Sequence, residues 1–121
     1  MEPDAILGTW IPVEAFVEGK KLPDEGLSGM VLTIERDSYS LLHQGALERG
    51  TISFDGNALP RRIDLTGTVG PSLGRTRPAI YEIAGDWMRI CYALHGARPD
   101  RFEAGEGTSA LLVTYRRSTP A

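Results

Sequence analysis

The chain has little of what would commit a protein to a chemistry on sight. It holds one cysteine, Cys91, and two histidines, His43 and His95, among 121 residues. A lone cysteine closes no internal disulfide, so a reducing compartment is expected to suit the fold. Two separate histidines, without spaced cysteines or carboxylates, do not make a zinc site, and no metal or cofactor is expected. No apolar run approaches the roughly 20 residues of a membrane-spanning helix. The opening Met1-Glu2-Pro3-Asp4 is acidic and lacks the basic stretch and apolar core of a signal peptide. A cytoplasmic location and no membrane partner are the expectation. Excess charge of one sign is also small: the net value of −3 gives no reason to expect nucleic acid.

What is present is punctuation. The 14 glycines and 8 prolines fall between short apolar runs, as they do in a protein of many short strands. One domain spanning 1–121 is expected, long enough to bury a core without disulfides or metal. Residues 3–7 can form one helical turn. Residues 8–17 read as a first strand, with Pro12 marking an irregular or edge position. A turn at 18–20 and a polar loop at 21–28 follow. Residues 30–35 alternate and are β-branched, a second strand. Further strands are read at 39–44, 49–54 and 61–69, with Asp55-Gly56-Asn57 as a hairpin turn. Residues 70–77 read as a flexible basic loop, a lid beside a barrel mouth, without the pattern of a phosphate-binding loop. Residues 79–83 and 87–94 flank Gly85-Asp86 as the clearest hairpin; a long Gly-rich segment at 95–108 precedes a last strand at 109–117. About eight strands must close or stack to hide their edges, and closure gives an interior fit for side chains or one small ligand.

An ordered set of short pieces resembles a known family. It runs from Leu7-Gly8-Thr9-Trp10 through Gly19-Lys20, Tyr39, Gly50-Thr51, Pro60 and Ile63-Asp64-Leu65. It continues with Gly74, Ile80-Tyr81-Glu82-Ile83, Gly85-Asp86, Ile90-Cys91, Arg98-Pro99 and Phe102. Together these pieces look like the lipocalin-like domain first described in planctomycetes, a family without an assigned reaction. The chain departs from it at Trp87, where the family usually carries Leu. The resemblance implies an all-β, up-and-down antiparallel barrel. The Gly-Thr-Trp opening is also similar to the Gly-x-Trp of lipocalins, where the indole plugs one barrel end beneath an arginine of the last strand. Trp10 with Arg116 or Arg117 is the corresponding pair, a structural role.

Candidate site residues follow from period-2 alternation. If Trp10 points inward, Glu14 and Phe16 do too, unless Pro12 shifts the register. On the third strand Tyr39, Leu41 and His43 share one face, and alternation does not choose between the two faces. On the seventh, Trp87, Arg89 and Cys91 oppose a more apolar set of Met88, Ile90, Tyr92 and Leu94; the first set lines a cavity only if that cavity is polar. Asp64 sits between two apolar residues and calls for a cation, Arg98 or Arg62. Tyr81 can offer a phenol to a ligand or bond to backbone. Tyr39, Trp87, Cys91 and Phe16 are thus the ligand-binding candidates, with Trp10, Arg116 and Arg98 structural. The expected function is binding of a small, largely apolar molecule. The alternative is a cofactor-independent cyclase, isomerase or hydrolase using Tyr81, His43, Glu14, Asp64 or Arg89. An accessory module docking through an exposed sheet edge is a third possibility.

Overall fold

The computed structural model describes residues 5–27, 29–43, 45–57, 60–71, 73–94 and 96–118. Every long strand is antiparallel to its neighbours in the sheet. In chain order they are β1 (Gly8–Val17), β2 (Lys20–Lys21), β3 (Val31–Ile34), β4 (Ser38–His43), β5 (Ala46–Asp55), β6 (Arg61–Val69), β7 (Thr76–Ala84), β8 (Trp87–Ala93) and β9 (Ala110–Arg117). A single four-residue helix, α1 (Asp24–Leu27), lies between β2 and β3. Ala5 and Ile6 are helical, whereas Pro3 and Asp4 of the expected N-terminal turn lie outside the described residues.

The sheet closes on itself. β1 pairs with β3 on one edge and with β9 on the other, so eight strands complete an up-and-down barrel and β2 is a short hairpin partner of β1. Closure leaves neither β1 nor β9 as a bare edge along its paired length, which removes the main aggregation hazard of an antiparallel sheet. β3 reaches only Gly8, Thr9 and Trp10 of β1. Farther along that edge Ala15 receives the Leu22 amide at 2.8 Å, and α1 packs beside the gap. One barrel end is therefore sealed by strands and the other is covered by residues 18–27 and Met30.

The sealed end is built around Trp10, which is fully buried, its indole Nε1 donating to the Ile6 carbonyl at 2.9 Å. The Arg117 guanidinium lies 4.2 Å over the indole ring and donates to the carbonyls of Leu7 and Ala5 at 2.8 and 2.7 Å. Of the two arginines expected to serve, Arg117 plugs the base; Arg116 pairs across strands with Ile11 and Trp87 and is exposed. Parity is the reason, because Arg117 shares the inward face of Val113 and Tyr115. The arginine also explains Gly8. A Cβ there would sit 3.0 Å from Arg117 Nη1, and a φ of +127° disfavours any side chain.

Two apolar layers result. The interior holds Ile34, Ile63, Ile90, Met88 and Tyr81 around Trp10. A second cluster lies outside the barrel wall, where Ile80, Cys91 and Ala110 pack with Phe16, Phe102 and Leu112 beneath the segment 96–109. That segment is pinned at three points: Arg98 donates to the Ile63 and Ala79 carbonyls and pairs with Asp64 at 2.6 Å, the Leu94 amide bonds Ser109, and Gly19 bonds Ala104. Asp64 thus points outward into a structural ion pair.

The interior narrows at Gly50. An added Cβ would run into the Thr66 carbonyl and the Tyr39 ring. The strand accommodates this close approach with a register shift between Arg49 and Gly50.

Candidate functional site

Above the plug the barrel encloses a cavity of about 300 Å³. Its wall is mostly apolar: Leu32, Leu41, Leu65, Leu111 and Val113 from the strands, with Leu22, Leu27 and Met30 from the covering segment. Polar groups enter at few points, namely Tyr39, His43, Glu48, Arg77, Tyr92 and Tyr115. This is the composition of a small-molecule pocket, an apolar wall with a handful of groups that fix orientation.

A bulge sets what faces inward from β1. Pro12 pairs with Tyr115, and the register then slips so that Glu14 pairs with Thr114. One extra residue reverses the parity of everything after it. Ala15 therefore turns into the cavity, and Phe16 joins the outer cluster. This corrects the expectation that Glu14 and Phe16 follow Trp10 inward: Glu14 is half-exposed and absent from the cavity wall.

The buried polar groups form two pairs. The Tyr39 hydroxyl donates to Glu48 Oε2 at 2.7 Å, with Glu48 only 7% exposed. The hydroxyls of Tyr92 and Tyr115 meet at 2.7 Å. Burial, followed by the bond to Glu48 and that carboxylate's charge, raises Tyr39 well above the ordinary phenol range. Burial likewise raises Tyr92, with Tyr115 adding to the effect. Tyr115 is pushed up to about 12, again by burial, while its bond from Tyr92 and the nearby Arg77 charge act in the opposite direction. All three phenols thus keep their hydrogens well beyond physiological pH; Tyr39 donates its own to Glu48, and one of Tyr92 and Tyr115 donates to the other. Arg77 acts electrostatically on all three, which places the cluster around one centre.

His43 lines the mouth but is engaged with the cover. Its Nε2 lies 2.9 Å from the Gly26 carbonyl, and since a carbonyl only accepts, Nε2 carries the hydrogen. This bond ties α1 to β4 and holds Leu27 over the opening.

The remaining sequence candidates lie elsewhere. Tyr81 is buried below the cavity, edge-on to Phe54 with ring centres 6.4 Å apart. Arg89 is on the outer face, paired with Glu82 and 4.8 Å over the Phe102 ring. Cys91 is buried on that same face, its thiol 3.5 Å from the Glu103 carbonyl and raised in pKa by burial, not poised as a nucleophile. Trp87 is 49% exposed on the outside. The more apolar face of β8, carrying Met88, Ile90 and Tyr92, is the inner one, and the placement of Trp87, Arg89 and Cys91 inside is corrected accordingly. His95 lies outside the described residues, among which no cluster of His, Cys, Asp and Glu is arranged to hold a metal.

Glu48, Arg77 and Tyr115 are the cavity groups that sequence reading passed over. A signal existed for the first two. Ile52 and Phe54 share parity with Glu48, and Ala79 and Tyr81 with Arg77, so extending each strand toward its polar end carries the charged residue inward. Glycine and proline content marks residues 70–77 as one loop, whereas β7 begins at Thr76. The loop that remains is tied down by Gly74 and Arg75 bonding Gly67.

Fold and site together define a closed eight-stranded antiparallel β-barrel with a ligand-sized internal cavity. Among the described residues no helix is long and apolar enough to cross a membrane. Compared with known proteins, the chain matches no family model, no curated protein and no solved structure.

Proposed function

We propose that this barrel binds a small, largely apolar molecule in its interior, oriented by the Tyr39–Glu48 and Tyr92–Tyr115 pairs. The observation that carries this reading is the cavity of about 300 Å³, walled by leucines yet holding a buried carboxylate and three phenols. A barrel serving only as a scaffold gains nothing from burying Glu48, because removing a carboxylate from water costs several kcal/mol unless its partners compensate. The resemblance to the planctomycete lipocalin-like domains belongs with this proposal. The eight-strand closure and the Trp10–Arg117 plug support it. A free, buried Cys91 suits a reducing compartment, and we place the protein in the cytoplasm.

The test is saturable binding of an uncharged apolar fluorescent dye, N-phenyl-1-naphthylamine, to the full chain. Ala15 is the smallest strand side chain in the deep wall, and Ala15→Phe projects a ring into the space. The variant is expected to lose at least about tenfold in dye affinity, while Trp87→Phe, on the outside, leaves it unchanged. Equal dye binding by wild type and Ala15→Phe would place the dye elsewhere and remove the proposal.

One contact favours a second reading. A carboxylate bonded to a neutral phenol in a dry cavity can accept a proton and return it, the requirement of a cofactor-independent isomerase or cyclase. On this reading Glu48 is the base and Tyr92 or Tyr115 steadies charge on a substrate oxygen. Exchange of the α-hydrogens of α-tetralone in heavy water, catalysed by the wild type and lost in Glu48→Gln, is the expected result. No acceleration over buffer would leave the barrel a binder alone.

A further inference from the structure

Among the described residues, the cavity wall carries one acidic and one basic fixed charge, Glu48 and Arg77. They share a small, low-dielectric space and offset each other there. A carboxylate ligand would add a second negative charge beside a buried Glu48, and an ammonium a second positive charge beside Arg77. Either leaves an uncompensated charge away from water, which is costly. An uncharged ligand leaves the balance intact.

The hydroxyl inventory narrows the class further. Tyr39 commits its hydrogen to Glu48. Tyr92 and Tyr115 have two hydroxyl hydrogens between them, and their mutual bond at 2.7 Å consumes one. Neither has a second hydrogen-bond partner among the described residues, and both line the cavity. One hydrogen is left for whatever fills the space, since a phenol stays protonated throughout the physiological range. A buried donor without an acceptor costs roughly 1–3 kcal/mol, so a ligand that supplies an acceptor gains over a hydrocarbon of the same shape. A carbonyl oxygen meets this need and brings no hydrogen of its own to satisfy.

We propose that the ligand is an uncharged, mainly apolar molecule on the order of a dozen non-hydrogen atoms, with a carbonyl oxygen that accepts the spare hydrogen of the Tyr92–Tyr115 pair. This deepens the binding reading and rests on it.

Three probes of matched shape test the class: tetralin, α-tetralone and tetralin carboxylate, titrated into the full chain by calorimetry. α-Tetralone is expected to bind about tenfold tighter than tetralin, and tighter than the carboxylate by at least that factor. The carbonyl stretch of bound α-tetralone, read by infrared difference spectroscopy on the wild type, is expected at lower frequency than in hydrocarbon solvent. In the double variant Tyr92→Phe, Tyr115→Phe the ratio of tetralone to tetralin affinity is expected to fall to near one. Should that variant not fold, the wild-type infrared shift decides. A carboxylate that binds as tightly as the ketone, a tetralin that does so, or an unshifted stretch overturns the proposal. If the naphthalene dye binds in the cavity and none of the three probes does, the ligand class is wrong and the binding reading stands. If the dye fails as well, both fall.

Discussion

Arg117 does three jobs from one position on β9. It covers the Trp10 ring, donates to two carbonyls of the segment before β1, and lies 3.6 Å from Asp86. A cation over an indole is worth about 0.5–2 kcal/mol, and each carbonyl bond from a charged donor adds about as much again. Arg117→Gln is expected to lower stability by roughly 2–3 kcal/mol in urea unfolding, by the same principles. Arg116→Gln, one residue away and facing water, is expected to stay within about 0.5 kcal/mol of wild type. Equal losses in the two variants would show that the plug does not depend on the guanidinium. The cavity phenols give a second residue-scale expectation. An exposed tyrosine ionises near 10.0, whereas Tyr115 holds its proton to about 12 and Tyr39 and Tyr92 are raised as well. Between those values the unfolded chain releases protons that the barrel retains, so stability is full below pH 10 and falls as pH climbs toward 12. Unfolding midpoints measured across that window should drop, and phenolate absorbance from these three residues should appear late. Their half-ionisation at pH 10 in the folded protein would mean that the hydroxyls are wet.

Among the elements, β1 is where sequence and structure part most instructively. Its bounds were readable, from Gly8 to Val17, and so was the irregularity at Pro12. Alternation fixes which residues share a face, but it does not say where an extra residue enters. The slip between Pro12 and Glu14 exchanges Ala15 for Glu14 and Phe16 at the cavity wall. On β8 the more apolar face is indeed the inner one, so the ordinary hydrophobic rule was enough to exclude Trp87, Arg89 and Cys91. Glu48 defeats that rule: it is buried while its neighbour Leu47 is 41% exposed, because its carboxylate has a phenol partner from a different strand. A pairing across strands leaves no trace in either strand alone. The outer segment 96–109 has one legible anchor, the demand of Asp64 for a cation, which Arg98 meets. Arg98→Ala removes that bond and two to backbone carbonyls, and is expected to cost about 2 kcal/mol. More specifically, trypsin should then cut at Arg101 faster than in the wild type, with the cavity dye still bound. An unchanged cleavage rate would mean that the outer apolar cluster alone holds the segment.

At the scale of the molecule, the first and last long strands form one seam, from Trp10 opposite Arg117 to Val17 opposite Leu111. Everything that makes the interior an interior depends on that seam. β9 supplies Val113, Leu111 and Tyr115 to the cavity wall and Arg117 to the plug, and it is hydrogen-bonded on both sides. A chain ending at residue 109 would expose the edges of β1 and β8, open the apolar core to water and leave the Tyr92 hydroxyl without its partner. Such a fragment is expected to lack a cooperative thermal transition. The missing strand is short, with its pairing partners already in sequence order around the barrel, so a separate peptide of residues 110–118 should dock between β1 and β8. Mixing the two pieces is expected to restore the strand signal in circular dichroism together with dye binding, and a peptide carrying Tyr115→Ala should restore the first far better than the second. If the truncated fragment alone folded cooperatively and bound the dye, the barrel would not need its closing strand. The cavity would then be a feature of an open sheet, and the pairing of Tyr115 with Tyr92 would have no part in forming it.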